Sequence, residues 1–142
     1  MFAIDLQNRC LAAVLAAAAV ALAPPGIANA EPYSKAPVTE YTQLPKFCWG
    51  QFNDQLQGEE FWYRGCGVGA NHYCDGLLSL QRSKKTKDPF AKQILLRAAK
   101  SDTLYTIGWL KREGVMGTCT ITAHVEQTLR EIDLQYQIYH VK

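Results

Sequence analysis

The sequence predicts an all-α domain of about four helices, arranged in antiparallel hairpins and stapled by disulfide bonds. Three observations support this fold class. Apolar residues recur every three or four positions along most of residues 44–142, which is the spacing of one helix face. No segment shows the pattern of a convincing strand. Four cysteines lie in the same part of the chain, at Cys48, Cys66, Cys74 and Cys119.

The first thirty residues have the composition of a cleavable secretory signal. A short polar lead precedes an apolar run of 13 residues at 11–23, and the segment ends in Ala28-Asn29-Ala30. Small residues at 28 and 30 favour cleavage before Glu31. The apolar run is shorter than the roughly 20 residues that a membrane-spanning helix needs. We therefore expect a periplasmic or secreted protein without a membrane anchor after cleavage; a retained anchor is the alternative.

The first elements of the exported part are an arm and a short helix. Residues 31–43 lack helical periodicity and contain two prolines, so we expect an extended arm. A single helical domain is expected over 44–142. Its first helix is predicted from Pro45 to Gly58, with an apolar stripe at Cys48, Phe52 and Leu56. A glycine-rich loop with an aromatic triplet follows at 59–69.

Three longer helices are predicted after this loop. The second helix covers about 71–83, with Asn71 as its candidate N-cap. The third runs from Asp88 to Glu113, because an acidic cap followed by proline is a strong start signal; a break near Ser101 is an alternative. The fourth begins after Cys119 with Thr120 as a candidate cap. Its apolar positions form the clearest helical stripe of the chain, at Ile121, Val125, Leu129, Ile132, Tyr136 and Tyr139.

An even number of cysteines in an exported chain indicates a disulfide framework, and four cysteines allow three pairings. Antiparallel helices alternate in direction, so the second and fourth helices should begin at the same end of the domain. This favours Cys74–Cys119 and leaves Cys48–Cys66 as the second bridge. Free thiols or a metal cluster are the alternative.

Residues 71–102 resemble a helix hairpin of the tetratricopeptide family. The resemblance is carried by Tyr73, Gly76, Leu77 and Leu80 on the first helix and by Ala91, Leu95 and Ala98 on the second. The segment 71–74, followed by Gly-Leu and a basic helix end, is also similar to exported bacterial helical-repeat proteins without an assigned chemistry. The resemblance implies a scaffold that binds other proteins.

Charge and aromatic residues indicate where a partner would bind. Between Arg82 and Arg112 there are nine basic residues against Asp88 and Asp102. Such a surface attracts another protein or an anionic surface, although charge runs are also common on solvated helices. Aromatic residues do not alternate with the charges as in a nucleic-acid platform. The candidate partner-binding residues are Lys84, Lys85, Lys87, Lys92, Arg97, Lys100 and, in the aromatic loop, Trp62, for which a lid over the core is the alternative.

The sequence thus favours a non-catalytic adaptor or binding module without a cofactor. A metal-binding or small hydrolytic protein is the alternative, because His72 and His124 both lie near predicted helix starts. Imidazole suits zinc or copper. However, no nucleophile and base are close in sequence, and no metal-ligand spacing accompanies the two histidines.

Overall fold

A computed structural model describes residues 36–139, so the predicted secretory signal lies outside the described residues. These residues form helices and no strand, which confirms the all-α class. Short 3-10 turns cover Lys46–Cys48, Glu59–Phe61 and Val68–Asn71. Within 36–139, no helix has the length and apolar character needed to cross a bilayer. The α-helices are α1 (Val38–Tyr41), α2 (Trp49–Phe52), α3 (His72–Lys85), α4 (Pro89–Arg112) and α5 (Thr122–Ile138).

The described part of the arm is not extended, contrary to expectation, because residues Val38–Tyr41 form one helical turn. Packing accounts for the difference. Tyr41 is buried, and its ring stacks against Phe52 with 6.2 Å between centroids. Glu40 accepts a hydrogen bond of 2.8 Å from Arg82 Nε of α3. The end of the arm is therefore attached to the helical part of the domain.

The predicted first helix is much shorter than expected. It begins with the 3-10 turn and ends at Phe52, well before Gly58. Asn53 has an extended backbone (φ −142°, ψ 105°), and its side-chain oxygen accepts a hydrogen bond from the Gln55 amide. Asparagine side chains compete with helical hydrogen bonds in this way. Asn53 Nδ2 also donates to the Tyr41 hydroxyl, which fixes the turn against α1.

The three long helices agree closely with the sequence pattern. Helix α4 is continuous through Ser101, and the Asp88 carboxylate caps it by accepting from the amides of Phe90 and Ala91. The other two caps are wrong. Asn71 already has helical backbone angles and makes no side-chain cap bond, because a 3-10 turn precedes α3. Thr120 Oγ1 instead accepts from the Arg64 amide, which joins the glycine-rich loop to the start of α5.

Contacts along the long helices define their directions. His72 of α3 packs against Tyr105 of α4 with the two rings tilted, whereas Gly76, one turn later, lies against Ala99. Helices α3 and α4 therefore run in opposite directions. The same holds for α4 and α5, because Lys100 pairs with Asp133 and Lys92 lies over the Tyr139 ring. Helices α3 and α5 consequently run in the same direction.

A side chain at position 76 would conflict with the packing of α3 on α4. A Cβ there would lie 3.1 Å from the Asp102 Cβ and 3.2 Å from the Ala99 carbonyl oxygen. Glycine therefore permits a close approach of the two helices at this point.

The predicted disulfide pairing is wrong: the bridges are Cys48–Cys74 and Cys66–Cys119, with Cα–Cα distances of 5.5 and 4.4 Å. The short first helix places Cys48 against the first turn of α3. Gly65, with φ of 69°, lets the loop approach the Thr118 carbonyl oxygen. This approach brings Cys66 to Cys119, three residues before α5 begins.

Candidate functional site: a polar groove between α3 and α5

A groove of about 340 Å³ lies between α3 and α5. This volume falls within the range of roughly 300–1,000 Å³ that is typical of ligand pockets. Residues Gln43, Leu44 and Pro45, which follow α1, complete the wall. The helices contribute Leu77, Leu80, Gln81 and Lys84 from α3, and His124, Gln127, Thr128 and Glu131 from α5.

A fixed polar cluster lies beneath the His124 side of this groove. The hydroxyl of the buried Tyr73 is 2.7 Å from Thr128 Oγ1 and also hydrogen-bonds to His124 Nδ1. Phe47 packs against both Tyr73 and His124, with ring-centroid distances of 6.4 and 5.6 Å. Burial raises the pKa of Tyr73, so the phenol stays protonated at neutral pH. The imidazole of His124 is therefore held in one orientation at the groove wall.

The other end of the groove carries charge and amides. Lys84 Nζ forms an ion pair of 2.5 Å with Glu131, which connects α3 to α5. Gln81 Nε2 donates to Gln43 Oε1 over 2.7 Å, whereas Gln81 Oε1 is buried without a hydrogen-bond partner among the described residues. Buried polar atoms are nearly always hydrogen-bonded. Gln81 Oε1 therefore provides an acceptor for a bound group that can donate a hydrogen bond.

The predicted basic residues do not form one uniform surface. Lys84 and Lys100 are paired with Glu131 and Asp133 of α5, and Lys100 also lies 4.8 Å from the Tyr136 ring centroid. Lys92 lies over the Tyr139 ring at 3.8 Å.

Lys85 lies beside the groove rather than along α4, and Lys87 follows it two residues later in the chain. Lys85 is exposed and donates to Gln43 Oε1, and Lys87 is exposed in the turn after α3. Arg97 is exposed on α4. Only Lys84 of the candidate set lines the groove, and the Lys85–Lys87 segment extends from it.

The three aromatic residues at 61–63 differ in their burial and contacts. Phe61 stacks on Trp49 with 5.9 Å between ring centroids and covers the core. Tyr63 is half-buried, and burial, with a smaller contribution from the negative Asp75, raises its pKa to about 12. Trp62 is 40% exposed, in contrast to its two neighbours. The prediction that Trp62 binds a partner therefore stays a prediction. The alternative, a lid over the core, fits Phe61 and Tyr63 better than Trp62.

The two histidines have separate environments. His72 Nδ1 is 3.5 Å from Asp102 Oδ1, and its ring packs against Tyr105 of α4. Burial raises the pKa of Asp102, and the contact with His72 opposes this shift. His124 contacts Tyr73 and Phe47 instead. No group of three or more metal-ligating side chains occurs within 36–139, and all four cysteines there are in disulfides.

The class of protein that the fold defines is a disulfide-bonded, all-α domain with a polar groove between two parallel helices. Among known proteins, no family model, curated sequence or solved structure matches the chain.

Sequence reasoning missed most of the groove. Its signal is present as two stripes, Tyr73–Leu77–Leu80 on α3 and His124–Thr128 on α5, each with helical spacing. The sequence predicts the α3 stripe as part of an apolar core face and His124 as a candidate metal-binding or hydrolytic residue, and it indicates no role for Thr128. Their polar members become visible as a site only when α3 and α5 are known to be neighbours.

Proposed function

We propose that this chain is an exported, non-catalytic binding module with tetratricopeptide-like helix hairpins, and that its ligand binds in the groove between α3 and α5. The single observation that carries the proposal is the groove itself, with the buried, unpartnered Gln81 Oε1 among its lining residues. Helices α3 and α5 run in the same direction and α4 runs opposite to both, which is the order of one helix pair and the first helix of the next pair in a helical repeat. The segment order at 1–30 and the two disulfides support export.

The chemistry of the lining suits an extended polypeptide segment. Amide and hydroxyl side chains at Gln81, Gln127 and Thr128 both donate and accept hydrogen bonds, as a peptide backbone requires. Leu77 and Leu80 provide an apolar floor for alternate side chains. At one end, the exposed Lys85 and Lys87 favour an acidic residue of the ligand. The proposed partner is therefore a protein with an exposed, extended and acidic segment.

The test is selection of a random-peptide display library on the disulfide-bonded protein, followed by titration of synthetic copies of the enriched peptides. Gln127→Trp fills the groove from the exposed side of α5, and Gln137→Trp, on the same helix and exposed outside the lining, is the matched control. We expect Gln127→Trp to weaken binding by about tenfold or more and Gln137→Trp to leave it unchanged. Failure to enrich peptides, or equal binding by both variants, would contradict the proposal.

The basic end has its own test with the same peptides. Lys85→Glu combined with Lys87→Glu should weaken acidic peptides by about three- to tenfold and reduce the salt dependence of binding. Binding of neutral peptides should not change. If acidic and neutral peptides respond alike, the basic residues do not contact the ligand.

A further inference from the structure

Trp62 lies with one face of its indole against the backbone of Gly50. A Cβ at Gly50 would lie 2.5 Å from Trp62 Cε2, 2.7 Å from Cζ2 and 2.8 Å from Nε1. Because Cε2 is bonded to the other two atoms and has no open position in the ring plane, such a Cβ would lie over the ring face. Gly50 is buried, whereas Trp62 remains 40% exposed. One face of the indole therefore contacts protein and the other is available to solvent.

The surroundings of Gly50 hold this ring in place. Gly50 lies within α2, two residues after Cys48, which is bonded to Cys74 of α3. The adjacent Trp49 stacks on Phe61, and its Nε1 donates to the Leu44 carbonyl oxygen over 2.9 Å. The backbone on both sides of the contact is thus anchored. An aromatic ring fixed before binding loses little conformational entropy when a ligand stacks on it.

Trp62 lies between Phe61 and Tyr63 in the chain, and the charged residues of the surrounding segment are mostly acidic. Glu59 forms an exposed ion pair with Arg64, and Glu60 is exposed and folds its carboxylate back over Gly58. The segment 53–64 carries Asp54, Glu59 and Glu60 against Arg64 alone. Carboxylates repel phosphate groups, so the rim disfavours nucleic acids and anionic lipids. The same carboxylates accept hydrogen bonds from hydroxyl groups, and Arg64 supplies donors.

We infer that Trp62 and its acidic rim form a second binding site, distinct from the groove, that stacks on the C–H face of a pyranose ring in a neutral oligosaccharide. Sugar C–H bonds carry partial positive charge and meet the negative face of the indole favourably. The ring hydroxyls then remain available to polar groups, and Glu59, Glu60 and Arg64 are the charged residues nearest to Trp62 in the chain. Gly50 is a positioning residue, because any side chain there displaces the indole from its backbone contact.

The test uses soluble cellohexaose and chitohexaose as probes, titrated into the disulfide-bonded protein. The chain has three tryptophans, so their indole N–H cross-peaks are followed by heteronuclear NMR, and Trp62→Phe identifies the Trp62 signal. We expect a saturable shift that is largest for Trp62. Trp62→Ala should weaken binding by about tenfold or more, and Trp62→Tyr should restore part of it. Gly50→Ala should weaken binding while the indole remains present.

Val68→Ala is the matched control, because Val68 is 79% exposed in the same glycine-rich segment and has no place in the proposed site. It should bind the sugars as the unmodified protein does. Thermal unfolding of each variant checks that the domain is folded. The inference is overturned if neither hexasaccharide shifts the Trp62 signal at about 10 mM, or if folded Trp62→Ala binds equally well. A shift produced by a proline-rich peptide but by neither sugar would also overturn it and assign the ring to polypeptide binding.

Discussion

The two ends of the helical body are stabilised in different ways. The stapled end, where α3 and α5 begin and α4 ends, contains both disulfides and a large buried cluster that includes Tyr41, Tyr73 and Leu110. The open end, where α3 and α5 end and α4 begins, buries a much smaller set among the described residues. Its members are Leu80, Leu96, Ala99 and Ile132, with Tyr136 packed against them.

Polar contacts take a larger part at the open end. Lys84–Glu131 and Lys100–Asp133 connect α5 to α3 and α4, and Lys92 covers Tyr139. Phe90 and Ile94 of α4 remain exposed there. Exposed ion pairs usually contribute no more than about 1 kcal/mol each.

The difference shows what the disulfides make possible. At the stapled end the backbone outside the long helices is irregular. It consists of one-turn helices, 3-10 turns and loops with glycines of positive φ. The two disulfides hold these irregular segments against the long helices, so the segments need no regular secondary structure to stay in place. At the open end there is no covalent link among the described residues, and most of the chain is regular helix, with Glu40 and Gln43 of the arm in contact with the last turns of α3. The two ends should therefore respond differently to reduction, to core truncation and to pH.

Removing both disulfides should have the largest effect. Serine at Cys48, Cys66, Cys74 and Cys119 should lower the free energy of unfolding by roughly 2–4 kcal/mol for each bridge. The sum is comparable with the total stability of a small domain, roughly 5–15 kcal/mol. Urea denaturation measures the loss. Hydrogen exchange should show that amides of α2 and the glycine-rich loop lose protection before those of α4.

The two bridges also differ from each other. Cys66–Cys119 closes a sequence separation of 53 residues and Cys48–Cys74 one of 26. Loop-closure entropy then predicts that loss of Cys66–Cys119 costs about 0.6 kcal/mol more. If amides of the glycine-rich loop exchange equally slowly with and without the disulfides, the stapled end does not depend on its covalent bonds as proposed.

Truncation of the open-end core should have the next largest effect. Leu96 is completely buried, and Leu96→Ala should cost roughly 2–5 kcal/mol, since it removes a large part of a small cluster. Exchange should accelerate in the last two turns of α5. Leu110→Ala, equally buried at the stapled end, is the matched variant and should leave protection at the end of α5 nearly unchanged. Identical exchange patterns would mean that the two ends unfold as one unit.

The sequence predicted best what depends on local signals. The start of α4 follows from Asp88 and Pro89, whose cap and fixed φ act within one helical turn, and its end follows from Gly114. The prediction failed for the first helix, which ends at Phe52, because Asn53 bonds both the nearby Gln55 amide and Tyr41 of α1. It also failed for the disulfide pairing, which depends on contacts between segments far apart in the chain.

The candidate sites show the same limit. The basic run along α3 and α4 is evident in the sequence, but the carboxylates that neutralise part of it, Glu131 and Asp133, lie on α5. The sequence offers an exposed Trp62 as one of two alternatives. The contact of its indole with Gly50 depends on how the glycine-rich loop folds onto α2, which the sequence does not indicate. The groove residues can be recognised only when α3 and α5 are known to be neighbours, and no motif in the sequence indicates this.

The smallest expected effect concerns the contact of the stapled end with α3 and appears only at alkaline pH. Burial, and to a lesser degree Asp75, raises the pKa of Tyr63 from 10.0 to about 12. Between these values the unfolded chain has lost this proton while the folded protein keeps it. The unfolded state therefore binds fewer protons, and stability falls as pH rises through this window. Tyr63→Phe should remove on the order of 1 kcal/mol of that decline.

The measurement is urea denaturation from about pH 9 to about pH 12 of the protein that begins at Glu31, which lacks Cys10 and so carries no free thiol for disulfide exchange. The buried Tyr73, whose pKa is also raised, contributes a similar slope to both proteins, so only the difference between them reports Tyr63. Parallel pH profiles for Tyr63→Phe and the unmodified protein would show that the Tyr63 hydroxyl reaches solvent. The stapled end would then be open at this point, and its stability would rest on the disulfides with little help from the packing of the loop on α3.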